Sequence, residues 1–579
     1  MTADLRSRVE AWIAADPDPT TQEELRALLR EPDPAKTDLG DRFAGSLEFG
    51  TAGLRGVLGG GPNRMNLAVV LRTTDGLARA LLAEVPDAKQ RGVVVGYDGR
   101  RLSRELAAAT AEVLAAHGIR SVVFREVGPT PLAAFAVSHL GAAAGVMVTA
   151  SHNPPEYNGY KVYWGNGAQI IPPVDSIIAR AIDEAPRARD VQRHKDEVLT
   201  TFLDPAVERA YLDGVRALSL SKGGDRAFPI VYTPLHGVGA KLAEMALAEA
   251  GFTNVTSVAE QREPDGAFPT VRFPNPEEAG AMDLSFALAR KVSAQLVLAN
   301  DPDADRLAVA VPDPTSATGY LQLTGNQVGV LLGHEAIEAA GGGKGAVLAS
   351  CVSSPMLGTI AKARGVHYEE TLTGFKWIAN RALELLAKDG THFLFGYEEA
   401  LGYTMGELVR DKDGISAVVA FAELTARLRA EGKTVLGHLE SIYRKYGLFV
   451  SGQVNVTRKG QEGAKELLGI MNRLRAAPPA EVGGLAVTAV IDVEAGTRRE
   501  TATGATSALT LPASNVLIFE LAGNHRIIAR PSGTEPKAKF YFDVCEPLGE
   551  GEPMADAAQR ADETMKRLQK AFTAIAGTG

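Results

Sequence analysis

Three carboxylates crowd into Asp301-Pro302-Asp303-Ala304-Asp305-Arg306, directly after the apolar run Gln295–Asn300. At positions i, i+2 and i+4 of an extended chain they share one side, because side chains alternate there. Two carboxylates about 5 Å apart repel by about 3 kcal/mol at an effective dielectric near 20. A divalent cation relieves that repulsion, and hard oxygen ligands suit Mg²⁺. The alternative is a solvated acidic turn. An EF-hand fails, since Arg306 stands where that loop needs Gly and Pro312 where it needs Glu.

Three more loops carry groups of use to the same chemistry. Thr149-Ala150-Ser151-His152-Asn153-Pro154-Pro155 follows Gly145–Thr149, an expected buried strand. Ligands in open α/β sheets bind where strands end, and a serine there can carry a covalent intermediate. Asn158-Gly159-Tyr160-Lys161 reads as a turn leading into a strand. Gly396-Tyr397-Glu398-Glu399 offers adjacent acceptors for sugar hydroxyls, or else a helix start, where acidic residues favour the dipole. Nearby Thr373-Gly374-Phe375-Lys376 presents a cation, or is a turn before a helix. Arg530-Pro531-Ser532-Gly533-Thr534-Glu535-Pro536-Lys537 combines small residues for an anion nest, two hydroxyls, and an arginine able to grip phosphate with two parallel hydrogen bonds. Gly50–Gly56 and Gly96–Arg100 add Arg55 and Arg100, facing either an anion or water.

Strand-like and helix-like segments alternate behind these loops. Val93–Gly96, Leu106–His117 and Ser121–Phe124 make a βαβ signature. The pattern restarts at Ile230–Tyr232 and again after Thr324, with strands near Ala346–Ser350 and His392–Tyr397. After Gly447 there are more strands per helix, then an amphipathic helix carrying Met565, Leu568 and Phe572. The first 45 residues read as two helices, with Leu5, Val9, Trp12 and Ile13 on one face. The segments 263–276 and 477–484 read as loops. The expected domains are an N-terminal helical extension (1–45), α/β units at 46–215, 216–322 and 323–445, and an α+β unit at 446–579.

The bulk numbers exclude other classes. A chain of 579 residues exceeds one core. No apolar run approaches the roughly 20 residues of a membrane span, and the first residues do not read as a signal peptide. Acidic side chains outnumber basic ones, 70 to 61, for a formal charge of −9, which offers no whole-protein field for nucleic acid. Cys351 and Cys545 show no metal-ligand spacing and are expected to stay reduced in a cytoplasmic protein. No P-loop forms at Gly432-Lys433-Thr434, because Arg427 stands where its first glycine belongs. No dinucleotide fingerprint forms at Gly237-Val238-Gly239, because Leu242 replaces its third glycine. No His-rich or Cys-rich zinc spacing is visible.

Taken together and in this order, TASHNPP, DPDADR, TLTGFKW and RPSGTEPK resemble the α-D-phosphohexomutase superfamily of phosphoglucomutases and phosphomannomutases. The match runs from about Phe49 to Lys537 and is most similar to the phosphoglucomutase-2-type branch. The resemblance implies an α/β fold of four domains in a heart shape. Three similar α/β domains and a C-terminal α+β domain each lend one loop to a central cleft. It implies Ser151 as the phosphoserine with His152 beside it, and Asp301, Asp303 and Asp305 as Mg²⁺ ligands completed by a phosphate oxygen on Ser151. Arg55 and Lys161 are implied near the transferring group, Lys161 as general acid/base with a pKa lowered by neighbouring cations. Arg306, Thr373, Gly374, Lys376, Glu398 and Glu399 are implied on the sugar side. Arg530, Ser532, Gly533, Thr534 and Lys537 are implied on the distal phosphate. The expected activity interconverts glucose 1-phosphate and glucose 6-phosphate, with glucose 1,6-bisphosphate as intermediate and activator, in a monomer or homodimer. Phosphomannomutase, phosphopentomutase, sugar-bisphosphate synthase and, in a different class, a phosphoserine-dependent metal phosphatase are the alternatives. Two departures bear on the sugar: Ala400 stands where many members have serine, and Gly402 where some phosphomannomutases have histidine.

Overall fold

Parallel strands buried on both faces should be continuously apolar, and Val93–Tyr97, Ala144–Val148, Leu296–Ala299 and Ala346–Ser350 are buried along their whole length. The structure, a computed structural model, describes residues 3–33, 36–48, 53–221, 223–458, 460–531 and 537–578. The chain divides into two compact units, 1–323 with 401–427, and 324–400 with 428–579.

The first unit holds two sheets. One runs Leu54–Val57, Tyr157–Trp164, Ala144–Val148, Val93–Tyr97, Ser121–Val123, Thr200–Phe202. Its centre is parallel, and Tyr157–Trp164 turns back antiparallel on Ala144–Val148, with Met147 opposite Lys161. Asn158–Lys161 is thus strand rather than turn, which fixes the Lys161 side chain rigidly. The other sheet runs Tyr320–Gln322, Ala308–Pro312, Leu296–Ala299, Ile230–Thr233, Val255–Ser257. Two N-terminal helices, Ala3–Ala15 and Pro19–Arg30, bury Val9, Ile13 and Leu25 with Leu39 and Phe43. Glu24 accepts from the Gly60 amide and pairs with Arg42, so the extension caps the first sheet's entry loop.

In the second unit, His367–Thr371, Ala346–Ser350 and Phe393–Glu398 pair in parallel. A capping box between Thr324 and Gln327 starts the helix Gly325–Ala339. The rest is an antiparallel sheet, Leu448–Thr457, Lys537–Glu546, His525–Pro531, Leu517–Leu521, Leu485–Asp492, Thr497–Glu500, Thr506–Ala508. The helix Met554–Ile575 covers it, seating Phe572 among Phe519, Phe540 and Phe542. The expected plan of three α/β parts and a sheet-rich C-terminal part is what the chain adopts. The stretch 477–484 is not wholly loop, since Glu481–Val482 pairs with Leu485–Asp492. Cys351 and Cys545 are both free thiols. Among the described residues no helix is long and apolar enough to cross a membrane.

Candidate active site

Ser151 stands at the end of Ala144–Val148 with φ +52°, a left-handed conformation that a non-glycine residue adopts only when its surroundings hold it there. The Thr149 hydroxyl accepts from the Ser151 amide at 2.8 Å. Arg100, buried, donates to the carbonyls of Ser151, Asn153, Pro154 and Tyr157. Arg100 is shut off from water, with Nε 3.5 Å from Asp98 Oδ2, and it clamps the loop that presents the serine.

The acidic loop follows Leu296–Ala299 in the same unit. It is a turn rather than an extended segment: the Ala304 amide donates to the Asp301 carbonyl and Ala304 has φ +55°. Turning, not alternation, converges the carboxylates of Asp301, Asp303 and Asp305 to within 4.8 Å of one another, all buried. Ser151 Oγ donates to Asp301 Oδ2 at 2.7 Å. Lys161 Nζ donates to Asp303 Oδ2 at 2.8 Å and Asp305 Oδ2 at 2.9 Å. Arg306 Nε lies 3.9 Å from both Asp301 and Asp305. Gly53, at φ +81°, lets the neighbouring strand approach, since a Cβ there would lie 2.4 Å from the Tyr160 carbonyl. Two residues on, Arg55 donates to Asn153 Oδ1 at 2.8 Å.

Burial and charge set the ionisation. Burial, then repulsion from Asp303 and Asp305, holds Asp301 well above the usual carboxylate range. Burial is the largest influence on Asp303 and Asp305 and would raise both, with Asp305 also repelling Asp303. Lys161 together with the Thr130 hydroxyl at Asp303, and Lys161 together with Lys412 and Arg306 at Asp305, turn the balance and lower both. Burial would lower Lys161, yet Asp303 and Asp305 outweigh it and raise it. The expected depression of Lys161 is therefore reversed, because its nearest charges are carboxylates rather than Arg55. Burial, with Arg306 and Arg55 adding, drives His152 well below 6.5, so it is a neutral imidazole 3.2 Å from Ser151 Oγ. Burial lowers Arg55 to about 10.

A metal fits this donor set. Asp303 Oδ1 and Asp305 Oδ1 are buried with no hydrogen-bond partner. Such orphaned anionic oxygens are costly unless a cation meets them, and oxygen donors are the ligands hard divalent cations take.

In the second unit, Glu398 ends the strand Phe393–Glu398 and accepts from the Gly374 amide at 2.6 Å. Glu399 accepts from the Ser350 and Ser353 hydroxyls at 3.2 and 3.4 Å. The pair closes a strand, so the helix-start reading is overturned. Arg530 donates to the Thr373 hydroxyl, and Lys376 Nζ lies 5.7 Å from the Trp377 ring centre. Lys537 begins the strand Lys537–Glu546. Ser532, Gly533 and Thr534 lie outside the described residues.

Residues 46–189 match the family described as phosphoglucomutase/phosphomannomutase, alpha/beta/alpha domain I, residues 209–315 match domain II, and residues 324–446 match domain III. The chain is 42% identical over 486 residues to a probable phosphomannomutase of Haemophilus influenzae, covering 83% of this chain and 93% of that one. It is 37% identical to the human phosphopentomutase, over 99% of this chain and 95% of the relative. The chain belongs to the phosphoglucomutase/phosphomannomutase family. In fold, a phosphoglucomutase/phosphomannomutase family protein from Burkholderia thailandensis superposes with a TM-score of 0.65 at 20% identity, covering 90% of this chain and 97% of that one.

Three residues of this family member's buried cluster escape a reading of the sequence. Lys412 Nζ lies 3.2 Å from Asp305 Oδ2. Asp411, beside it, accepts from Tyr163 and Gln169, both at 2.7 Å. The Thr130 hydroxyl donates to Asp303 Oδ2 at 2.7 Å across 173 residues of sequence. The run Arg410-Asp411-Lys412-Asp413-Gly414 was the available signal, a charged stretch before an apolar helix.

Proposed function

We propose that this chain is a phosphosugar mutase working through phospho-Ser151, and that it interconverts glucose 1-phosphate and glucose 6-phosphate. The observation that carries the reading is Ser151 Oγ hydrogen-bonded into a buried triad of aspartates already engaged by Lys161. Phospho-Ser151 gives its phosphoryl group to a free sugar hydroxyl: the P–O bond to Ser151 breaks and one to the sugar oxygen forms. The bisphosphate then turns and returns its other phosphoryl group, regenerating phospho-Ser151. Asp301, Asp303 and Asp305 would hold Mg²⁺, which when bound neutralises charge on the transferring group.

Lys161, held protonated, acts in its acid form, giving a proton to the departing oxygen and regaining it from the attacking hydroxyl. His152, neutral, accepts or donates one hydrogen bond beside Ser151 without adding charge. Arg55 and Arg306 stabilise the growing negative charge. Glu398 and Glu399 are assigned to sugar hydroxyls with Thr373, Gly374 and Lys376. Arg530, Ser532, Gly533, Thr534 and Lys537 are assigned to the phosphate that is not reacting. Glucose 1,6-bisphosphate serves as intermediate and activator, the cytoplasm is the proposed location, and the domain limits proposed are 45/46, 215/216, 322/323 and 445/446.

A second reading is a pentose 1-phosphate/5-phosphate mutase, favoured by the named activity of the human relative that matches 99% of this chain. Conversion of glucose 1-phosphate is measured with Mg²⁺ and a trace of glucose 1,6-bisphosphate, beside ribose and mannose 1-phosphates and release of inorganic phosphate. Activity on glucose 1-phosphate lost in Ser151→Ala is expected. A folded wild type active on ribose 1-phosphate alone replaces the glucose assignment, and stoichiometric phosphate release sinks the mutase reading.

A further inference from the structure

A second cluster of metal-ligating side chains lies in the second unit, made by residues the mutase reading does not use. His334 and Glu335 stand on the helix Gly325–Ala339, and His438 in the first turn of the helix Val435–Tyr446. His438 Nε2 is 3.2 Å from Glu335 Oε1, and His334 Nδ1 is 3.6 Å from the same oxygen. One donor atom from each of the three lies within 4.8 Å of the other two. The imidazole rings are 5.5 Å apart at 73°. The three side chains are only 11 to 13% exposed, and His334 Nδ1 is buried with no hydrogen-bond partner.

From these positions we propose a transition-metal site at His334, Glu335 and His438, suited to Zn²⁺ or a similar borderline ion and distinct in chemistry from the aspartate triad. Tetrahedral zinc with bonds of about 2.0–2.2 Å sets its ligand atoms about 3.3–3.5 Å apart. Two of the separations, 3.2 and 3.6 Å, are already close to that, and the third lies within 4.8 Å. Two imidazoles and one carboxylate are the donors of a zinc site, whereas magnesium prefers oxygen alone. A metal would also give the orphaned His334 nitrogen a partner. Glu338 Oε1 is 3.9 Å from His334 Nε2, while its other oxygen pairs with Arg364 at 2.8 Å, so Glu338 orients rather than ligates. The sequence hides the site because its ligands come from two helices separated by the strands between them.

The site has a structural consequence. The helix Val435–Tyr446 passes through Gly447 directly into Leu448–Thr457, the first strand of the antiparallel sheet. A metal held by both helices would fasten that junction.

The test titrates the full chain with Co²⁺ and Zn²⁺ in saturating Mg²⁺, comparing wild type, Asp303→Asn, His334→Asn and His438→Gln. One equivalent of Co²⁺ with the visible absorption of a four-coordinate site is expected in wild type and in Asp303→Asn. Its affinity should fall at least about tenfold in each histidine variant, while Mg²⁺-supported activity of those two variants stays within about twofold. Zn²⁺ should raise the unfolding temperature of wild type and not that of the histidine variants. Absence of the Co²⁺ band in Asp303→Asn, where both histidines remain, overturns the proposal. So do binding curves of the histidine variants that superimpose on the wild type's.

Discussion

The two sets of loops named for one chemistry are built differently. In the first unit Ser151, Lys161, Asp301, Asp303 and Asp305 are at most 2% exposed, and their charges answer one another. In the second, Thr373, Gly374, Lys376, Glu398, Glu399 and Arg530 are only half-buried; Glu398 accepts from a backbone amide and Glu399 from serine hydroxyls. Phosphoryl transfer gains most from charge fixed in advance and shielded from water. Ring recognition relies on acceptors and donors that stay open to a ligand. The contrast sets a closed, charged cluster suited to transfer against an open set of donors and acceptors suited to holding a ligand.

The largest test of that contrast sets Asp303→Asn against Glu399→Gln. Asn at 303 removes the carboxylate that Lys161 and Thr130 both meet, so kcat should fall by about 10³, roughly 4 kcal/mol of barrier. Gln at 399 keeps an acceptor for Ser350 and Ser353 and should cost about tenfold, mostly in KM. Steady-state kinetics on both, with circular dichroism to check folding, decides it. Equal losses would erase the distinction between the two regions. Removing divalent cations with a chelator should abolish turnover, and added Mg²⁺ should restore it.

A second comparison lies inside the buried cluster. Lys412 reaches Asp305 across Gly402, where an added Cβ would lie 2.3 Å from Lys412 Cδ. Lys412→Met should lower kcat by about 10 to 100-fold, and Gly402→Ala should move activity the same way by displacing the lysine stem. A Gly402→Ala enzyme with full activity would show that the lysine adapts and that its reach to Asp305 carries little.

What the sequence made legible follows the range of the interactions. Helix and strand periodicity are local, so the strands at 93–97, 230–233 and 346–350 could be placed within a residue or two. Asp301, Asp303 and Asp305 are legible because one short segment carries all three. Lys412, Asp411 and Thr130 are not, because each joins the cluster through contacts spanning more than a hundred residues. Arg100 was visible as a loop arginine, but its burial beneath the Ser151 carbonyl was not. The raised pKa of Lys161 is hidden from the sequence for the same reason, since the Asp303 carboxylate that meets it is 142 residues away in sequence.

On the proposed assignment of Glu398 and Glu399 to sugar hydroxyls, substrate choice should be movable in the half-exposed region. Ala400→Ser adds one hydroxyl next to Glu399. A net hydrogen bond of about 1 kcal/mol corresponds to about fivefold in kcat/KM. The ratio of kcat/KM for glucose 1-phosphate to that for ribose 1-phosphate should rise by about that factor. A ratio unchanged within twofold would place the sugar discrimination elsewhere.

The smallest effect concerns the sheet behind the Arg530 loop. Its strand begins at His525, whose Nδ1 accepts from the Cys545 amide at 3.1 Å, a bond only the neutral ring can make. Burial lowers the His525 pKa below 6.5, with Arg567 in the same direction and Glu546 opposing. A group whose folded pKa is depressed contributes stability that is present above its unfolded value and lost as pH falls through the folded one. Wild type should therefore lose stability between pH 7 and 5 relative to His525→Gln, whose amide oxygen can accept the same bond without titrating. Unfolding midpoints of the two proteins at both pH values measure the difference. Parallel pH dependences would mean that Glu546 offsets burial and that the strand holding Arg530 is as indifferent to pH as the surface around it.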